Sequence, residues 1–113
     1  MAKTKVYISG PMTGLPEYNY PAFDAMEAAL KAKGFDPVSP VKVCEGMTHD
    51  TSTWEDFMRA NIKAMMDCDG VIFLHGWPNS KGARIEHALA LGLGMFRVRE
   101  LPSGDFSFVK MGR

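Results

Sequence analysis

The sequence lacks the features that would place it in a specialised class of protein. Its 113 residues include only two cysteines, Cys44 and Cys68, which do not have the spacing of a zinc site or of a C-x-x-C redox motif. Uninterrupted apolar runs are only a few residues long, far short of the roughly 20 residues of a membrane-spanning helix. Thirteen basic residues balance thirteen acidic residues, so no net positive charge attracts nucleic acid or an anionic membrane surface.

These absences leave a small molecule as the expected partner, with no nucleic acid and no membrane. No signal-peptide pattern opens the chain and the two thiols are expected to be reduced, so we predict a cytoplasmic location. The length suits one domain with a hydrophobic core and is too short for two. We therefore predict a single domain over residues 1–113.

Strand and helix patterns alternate along the chain. The runs "KVYISGP" (residues 5–11) and "GVIFLHG" (residues 70–76) predict buried strands. "FDPVSP" predicts a weak strand at the sheet edge beside the first strand, "GMFRVRE" a further strand, and the C-terminal "PSGDFSFVKMGR" a short last strand or an arm. Segments 12–20 and 41–53 have no period and predict loops. The alternation predicts an α/β fold, a doubly wound (flavodoxin/Rossmann-like) parallel sheet of four to five strands with helices on both faces.

Two helices are predicted before the second buried strand. Pro21 fits the first position of one helix, which Gly34 ends. Ser52 and Glu55 match a capping box at the start of the other helix. An apolar stripe predicts the buried face of that helix: Trp54, Phe57, Met58, Ile62, Met65 and Met66. Asn61 interrupts the stripe, so we expect an amide that faces the interior or the rim of the sheet.

The helix in "NSKGARIEHALALG" carries the most informative polar residues. Ser80 is a natural N-cap, and Gly82 leaves room at the first turn, where free amides and the helix dipole favour an anion such as phosphate. The alternative is that Ser80 only caps the helix. Glu86 shares a helical face with Gly82, Ala83 and Ala90, so a ligand has room beside its carboxylate. An acid near a helix start also complements the dipole without any functional role, so both interpretations stay open.

Further candidates lie at the predicted strand ends, because open parallel sheets bind ligands where the strand order reverses. Ser9, Gly10 and Pro11 end or follow the first strand, and Gly76 opens the loop after "VIFLH". These two loops should face each other. Tyr7 alternates with apolar neighbours, and a buried phenol needs a hydrogen-bond partner, for which a carboxylate at the rim would serve.

A metal centre is not predicted. His75, His87 and Asp69 are the candidate ligands, but no recognised ligand spacing links them. We therefore expect neither a metal site nor a cofactor.

With these residues identified, the sequence resembles the nucleoside deoxyribosyltransferase superfamily. "KVYISGPMTG" is similar to the opening strand and loop of that superfamily, and "CDGVIFLHGWPNSKGARIEHALALG" is similar to the strand, loop and helix that carry its nucleophilic glutamate. The resemblance runs from about residue 5 to residue 98 and depends on the two motifs together.

The resemblance implies a reaction and assigns roles within it. The glutamate matched by Glu86 attacks the anomeric carbon, releases the base and forms a glycosyl ester, while the tyrosine matched by Tyr7 orients or tunes it. Members that hydrolyse nucleoside 5′-monophosphates have a phosphate-contacting serine six residues before the glutamate, and Ser80 holds that position. The implied function is hydrolysis of the N-glycosidic bond of a (deoxy)nucleoside 5′-monophosphate, with Gly82 at the phosphate and Gly10 lining the pocket.

Asn61 departs from the pattern of the superfamily, whose active members carry an aspartate at this position. An amide binds a sugar or a base but cannot act as a general acid or base. Either another group protonates the leaving base, or catalysis is weak, or the protein only binds nucleotides. A base-exchanging transferase and a nucleotide-binding protein without turnover therefore remain as alternatives.

The resemblance also implies a homodimer or a larger homo-oligomer, because members of the superfamily complete the pocket with residues of a neighbouring subunit. The aromatic residues Tyr18, Tyr20 and Trp77 fit either the base pocket or that interface.

Overall fold

The fold is built on one five-stranded sheet. The computed structural model describes residues 3–112 and contains these strands: β1 (Lys5–Ser9), β2 (Asp36–Val38), β3 (Gly70–Phe73), β4 (Phe96–Glu100) and β5 (Phe106–Lys110). Their order in the sheet is β2-β1-β3-β4-β5, and β1 to β4 run parallel. The expected edge position of "FDPVSP" beside the first strand is confirmed.

The last strand corrects the expectation of a parallel sheet. β5 pairs antiparallel with β4. Only residues 101–105 join the two strands, whereas a parallel return needs a crossover of about a dozen residues or more. The short connection therefore returns the chain beside β4 in the opposite direction, and the C-terminal segment is a strand rather than an arm.

The helices within residues 3–112 are α1 (Tyr20–Ala32), α2 (Pro40–Val43), α3 (Trp54–Met66) and α4 (Lys81–Gly92), with 3-10 turns at Pro16–Asn19 and Trp77–Asn79. No helix in this part of the chain is long and apolar enough to cross a membrane. The prediction of a loop over residues 41–53 is wrong at its start, because α2 occupies that part. Ser39 caps α2 by accepting a hydrogen bond from the Val41 amide at 3.3 Å.

The capping box of α3 lies one residue later than predicted. Thr53 Oγ1 accepts from the Asp56 amide at 3.1 Å, and Asp56 Oδ2 accepts from the Thr53 amide at 2.9 Å. Ser52 and Glu55 have the same spacing, so the sequence pattern fits both registers. The hydrogen bonds show that the Thr53 register is the one used.

The core lies on both faces of the sheet, because alternate residues of a strand point to opposite faces. One hydrophobic cluster joins the strands to α1 and consists of Val6, Ile8, Phe23, Leu30, Ile72, Leu74 and Val98. The second cluster joins the opposite face to α3 and α4 and consists of Tyr7, Met65, Val71, Ala90 and Met111. The chain is thus a single compact α/β domain with helices on each side of the sheet.

Two residues of the predicted core stripe on α3 are not in the core. Met58 and Met65 are buried as expected, but Trp54 and Met66 are exposed. They occupy the first and last positions of α3. The prediction of a core position is wrong for these two residues, because Trp54 lines the cavity and Met66 is exposed beside the fully buried Met65.

Candidate active site

The centre of the candidate site is the carboxylate of Glu86 on α4. The residue is only 4% exposed. Tyr7 Oη donates a hydrogen bond to Oε2 at 2.7 Å, and Ser9 Oγ donates to Oε1 at 2.8 Å. Tyr7 and Ser9 are two residues apart in β1, so the pleat places both hydroxyls on the face that meets α4. Each carboxylate oxygen is therefore fixed by one hydroxyl.

The protonation of this cluster is set mainly by burial. Burial raises the pKa of Glu86, while the hydrogen bonds from Tyr7 and Ser9 act to lower it, and the net pKa lies above the ordinary value. The pKa of Tyr7 is raised well above its ordinary value by burial and by the negative charge of Glu86. The phenol therefore keeps its proton and remains a hydrogen-bond donor to the carboxylate.

A cavity of about 830 Å³ opens beside this cluster, and both Tyr7 and Glu86 line it. Its other walls come from the loop after β1, the turn before α1, α2 and the segment that follows it, α3, and the first turn of α4. This volume lies within the range of cavities that hold small ligands and cofactors. A carboxylate with two fixed oxygens thus borders a space large enough for a nucleotide.

The first turn of α4 forms one end of the cavity. Ser80 Oγ accepts a hydrogen bond from the Ala83 amide at 3.2 Å, so Ser80 caps the helix as predicted. Ser80 also lines the cavity, together with Lys81, whose Nζ lies 4.4 Å from the centre of the Trp54 ring. The capping bond uses an acceptor site of the hydroxyl, and the hydroxyl proton stays available to donate to a ligand. Helix amides, a hydroxyl and an ammonium group together favour an anion at this end.

Two glycines in the cavity wall have packing reasons that the sequence did not indicate. A Cβ at Gly82 would lie 2.9 Å from Met58 Sδ, so the missing side chain admits α3 rather than only a ligand. A Cβ at Gly10 would lie 2.8 Å from Leu74 Cβ, so the loop after β1 can cross the end of β3. Both residues line the cavity through their backbones. Gly82 thus has a packing role in addition to its expected place at the ligand site, which stays a prediction.

Asn61 faces the same cavity from α3. It is 9% exposed, which explains why a polar residue interrupts an apolar stripe. Cys44 Sγ donates a hydrogen bond to Asn61 Oδ1 at 3.2 Å. Burial, followed by the negative charge of Glu86, raises the pKa of Cys44. The thiol therefore stays protonated and continues to donate.

An aromatic wall, defined as Tyr18, Tyr20, His49 and Phe57, closes another side of the cavity. The His49 ring stacks on Tyr18 with centroids 5.1 Å apart and contacts Phe57 at 5.0 Å, while Tyr18 and Tyr20 lie 6.0 Å apart. Tyr18 has a left-handed φ of 52°, and its neighbours Glu17 and Asn19 are also left-handed, with φ of 52° and 61°. The rings of the aromatic wall present flat faces that are suited to stacking against a planar ring of a ligand.

The chain matches DUF4406, a domain of unknown function, over residues 4–98. This match covers most of the 113 residues. The chain belongs to the DUF4406 family. No curated protein matches the chain. Tyr7, Asn61, Ser80 and Glu86 all lie inside the matched region of the DUF4406 domain, whereas β5 lies outside it.

Three residues that the sequence predicted as candidates for the ligand pocket do not line the cavity of the DUF4406 domain. Ser9 is completely buried and binds Glu86, so its expected contact with a ligand is corrected to a contact with the carboxylate. Gly76 begins the turn after β3 and packs near Pro11, which does line the cavity. Trp77 stacks on His87 at 4.3 Å, away from the cavity. Within residues 3–112, no group of three or more His, Cys, Asp or Glu residues is placed to hold a metal ion.

Several cavity residues of the DUF4406 domain were missed by sequence reasoning. Cys44 and His49 lie in the segment without a period, where no pattern reports which side chains point inward. Lys81 follows the predicted N-cap directly, and a cation at that position was a signal for an anion site. Trp54 was assigned to the core, since an aromatic residue on an apolar stripe usually belongs there.

Proposed function

We propose that this DUF4406 domain hydrolyses the N-glycosidic bond of a (deoxy)nucleoside 5′-monophosphate. The observation that supports this function best is the Glu86 carboxylate, buried yet bordering a nucleotide-sized cavity and fixed at both oxygens by Tyr7 and Ser9. Burial of a carboxylate costs free energy, and a fold that supplies two hydroxyls to hold it favours a catalytic role over a structural one.

In the proposed reaction, a Glu86 oxygen attacks C1′ of the sugar as the bond between C1′ and the base nitrogen breaks. The bonding electron pair leaves with the base, which then takes up a proton. Positive charge develops on the sugar in the transition state, and the adjacent carboxylate stabilises it, as in retaining glycosidases. Water then attacks C1′ of the glycosyl ester, the bond to the Glu86 oxygen breaks, and the products are the free base and a sugar 5-phosphate.

Tyr7 and Ser9 position the nucleophile in this scheme. Two hydroxyl donors fix the direction of the Glu86 carboxylate and hold its pKa lower than burial alone would set it. Each oxygen retains a further lone pair, so the hydrogen bonds do not block attack. Neither hydroxyl needs to transfer a proton to the substrate.

The first turn of α4 supports a 5′-monophosphate as the substrate rather than a free nucleoside. The amides of this turn, the hydroxyl of Ser80 and the ammonium group of Lys81 lie on the cavity that Glu86 borders. Glu86 lies about a turn and a half beyond Ser80 on one helix, a separation that a sugar 5-phosphate can span.

The resemblance to the nucleoside deoxyribosyltransferase superfamily is part of the same proposal. The strand order 2-1-3-4-5 supports a doubly wound, flavodoxin-like sheet, in which ligands bind where the order reverses between β1 and β3. We extend the proposal to a homodimer or larger homo-oligomer and to a cytoplasmic location, with both cysteines as free thiols.

A nucleotide-binding protein without turnover is the second candidate, and Asn61 favours it. An amide stands where the superfamily has an acid, so the side chain at this position cannot protonate the leaving base, although Glu55 and His49 also line the cavity. A base-exchanging transferase is a variant of the leading proposal, with a second base in place of water.

The test is release of free base. The protein is incubated with each ribo- and deoxyribonucleoside 5′-monophosphate, and the products are separated by chromatography. We expect base and sugar 5-phosphate from the natural protein and a loss of roughly a thousandfold or more in Glu86→Gln. Glu45→Gln is the matched control, because Glu45 is exposed and lies outside the cavity. Binding of a monophosphate without base release would favour the second candidate.

A further inference from the structure

The orientation of the Asn61 amide carries information about the ligand. The thiol of Cys44 donates to Asn61 Oδ1 at 3.2 Å. An amide oxygen only accepts hydrogen bonds and an amide nitrogen only donates them, so this contact decides which end of the amide is used inside the protein. Asn61 is nine-tenths buried and lines the cavity, so the N–H groups are the part that a ligand can reach.

Cys44 is placed so that it remains a donor. Its backbone amide donates to the carbonyl oxygen of the buried Pro40 at 3.0 Å, which anchors it at the end of α2. Burial and the charge of Glu86 raise the pKa of the thiol, so it keeps its proton at neutral pH. A protonated thiol binds the amide oxygen and disfavours the flipped amide.

Asn61 lies beside the aromatic wall, and its partner Cys44 is close enough to Glu86 for the carboxylate charge to act on the thiol. Phe57 precedes Asn61 by four residues in α3, so the two side chains are neighbours on one helix face, and both line the cavity. Ser80 marks the anion end on α4. A nucleotide with its sugar at Glu86 and its phosphate at Ser80 therefore directs its base toward Phe57 and Asn61.

We propose that Asn61, oriented by Cys44, donates a hydrogen bond to the acceptor atom of the base that lies next to the glycosidic bond. This inference depends on the nucleotide ligand of the proposed function and specifies how the base is recognised. Purines carry N3 and pyrimidines carry O2 at this place, so every common base offers the acceptor. The site should therefore accept purine and pyrimidine monophosphates alike.

The same hydrogen bond assists departure of the base. When the bond to C1′ breaks, the electron pair moves onto the base and the negative charge spreads to N3 or O2. The N–H donor of Asn61 then faces growing negative charge, and its hydrogen bond strengthens in the transition state. The base leaves as an anion and takes its proton from solvent. Asn61 thus stabilises the leaving group and does not act as a general acid.

The first experiment removes the acceptor from the substrate. Base release is compared for 2′-deoxyadenosine 5′-monophosphate and for its 3-deaza analogue, in which a C–H group replaces N3. We expect the rate for the parent nucleotide, divided by the rate for the analogue, to be roughly 10- to 100-fold larger in the natural protein than in a protein that lacks this contact. The reference is Asn61→Ala, in which only the intrinsic difference between the two leaving bases remains. An equal ratio of rates in both proteins would overturn the proposal.

The second experiment tests Cys44 as a positioning residue. Cys44→Ser keeps a donor and should retain both kcat and the discrimination against the 3-deaza analogue. Cys44→Ala should lower kcat severalfold and lose much of that discrimination, because the amide is free to flip. Cys68→Ala is the matched control, since Cys68 bonds only to the Ala64 carbonyl and lies outside the cavity. If Cys44→Ala discriminates as the natural protein does, the orienting role is wrong.

A binding measurement separates this inference from the proposed reaction. Calorimetry with Glu86→Gln, which should bind without cleaving, compares the two adenine nucleotides directly. We expect the 3-deaza analogue to bind roughly tenfold more weakly, and we expect Asn61→Ala in the same background to bind both equally. This difference without base release in the natural protein would refute the reaction and keep the inference. Equal binding of the two nucleotides by Glu86→Gln, together with base release by the natural protein, would refute the inference and keep the reaction.

A spectroscopic measurement tests the structural premise without any substrate. In Cys68→Ala, Cys44 carries the only remaining thiol, and its S–H stretching band in Raman spectra reports hydrogen bonding. We expect the band at a lower frequency than that of a free thiol, and at a higher frequency after Asn61→Ala is added. A band that does not move would contradict the contact on which the proposal depends.

Discussion

The two faces of β1 are equally buried and chemically opposite. Val6 and Ile8 point to the α1 face and contact only an apolar cluster. Tyr7 and Ser9, which alternate with them, point to the other face, and both hydroxyls bind the Glu86 carboxylate. All four side chains are shielded from solvent. One strand of five residues thus contributes only apolar side chains to one side. On the other side it contributes the Tyr7 ring to the second hydrophobic cluster and two hydroxyls to the candidate site.

Equal burial has opposite energetic consequences on the two faces. Removing Ile8 from water stabilises the fold, since the side chain has no polar group to satisfy. Removing the Glu86 carboxylate from water opposes folding, and burial raises the pKa of Glu86 more than the hydrogen bonds from the two hydroxyls lower it. The apolar face therefore supplies stability, and the polar face uses some of it to hold a reactive group.

Ile8→Ala should damage stability and spare the site. Ile8 is fully buried, and loss of its side chain leaves a cavity that lowers the free energy of unfolding by about 2–5 kcal/mol. Urea denaturation measures this loss, and kcat/KM for base release is measured on the folded fraction. We expect kcat/KM to stay within about twofold.

Ile8→Val is the milder companion variant if Ile8→Ala does not fold, with an expected loss of about 0.5–1.5 kcal/mol. A fall in kcat/KM that follows the stability loss in both variants would show that the two faces are not separable.

Tyr7→Phe should act mainly on the site and lower kcat, because the ring stays in the core and only the hydroxyl is lost. The variant keeps the ring and removes one of the two donors to Glu86, and we expect kcat/KM to fall roughly 10- to 100-fold. Because the bond from Tyr7 lowers the pKa of Glu86, its loss should also move the acid limb of the pH profile to higher pH. An unchanged acid limb would mean that Tyr7 does not tune the carboxylate.

The pH dependence of stability provides the finest test of the polar face. The pKa of Glu86 is raised on folding, so the folded protein binds this proton more tightly than the unfolded chain. Its contribution is fully present below the ordinary carboxyl pKa of 4.5 and is lost as pH rises through the folded value.

Urea titrations of the natural protein and of Glu86→Gln, from about pH 4 upward, measure this contribution as a difference. We expect the natural protein to lose stability relative to Glu86→Gln as pH rises, and the difference to become constant once the carboxylate is ionised. A difference in stability that is flat across this range, or that changes in the opposite direction, would contradict the conclusion that burial of the ionised Glu86 carboxylate opposes folding.

Much of the comparison between the two faces was predictable from the sequence. The alternation of Tyr7 with apolar neighbours predicts opposite faces, and the need of a buried phenol for a partner leads to a carboxylate, which the structure identifies as Glu86. The small residues around Glu86 were expected to leave room for a ligand, and this holds for Ala83, which lines the cavity, whereas Ala90 packs in the second hydrophobic cluster. Periodicity carries these predictions because regular elements repeat their side-chain directions.

The parts that were not predictable lie where periodicity gives no information. Ser9 was assigned to the loop after the first strand, but β1 extends to Ser9, so its side chain shares the face of Tyr7 and binds Glu86. The period of a strand does not set the residue at which the strand ends. Cys44 and His49 reach the cavity from an irregular segment, and only the packing of α2 against α3 sets their directions. The contact between Cys44 and Asn61 joins residues of two separate elements, and no local pattern encodes it.

The structure of Glu86→Gln with a bound nucleoside 5′-monophosphate tests the assignment most directly. We expect C1′ of the sugar within about 3.5 Å of the side-chain oxygen at position 86. The phosphate should lie against Ser80 and the first amides of α4, and the base against the aromatic wall. A nucleotide bound outside this cavity, or bound inside it with the sugar turned away from position 86, would contradict the assignment of Glu86 as the nucleophile.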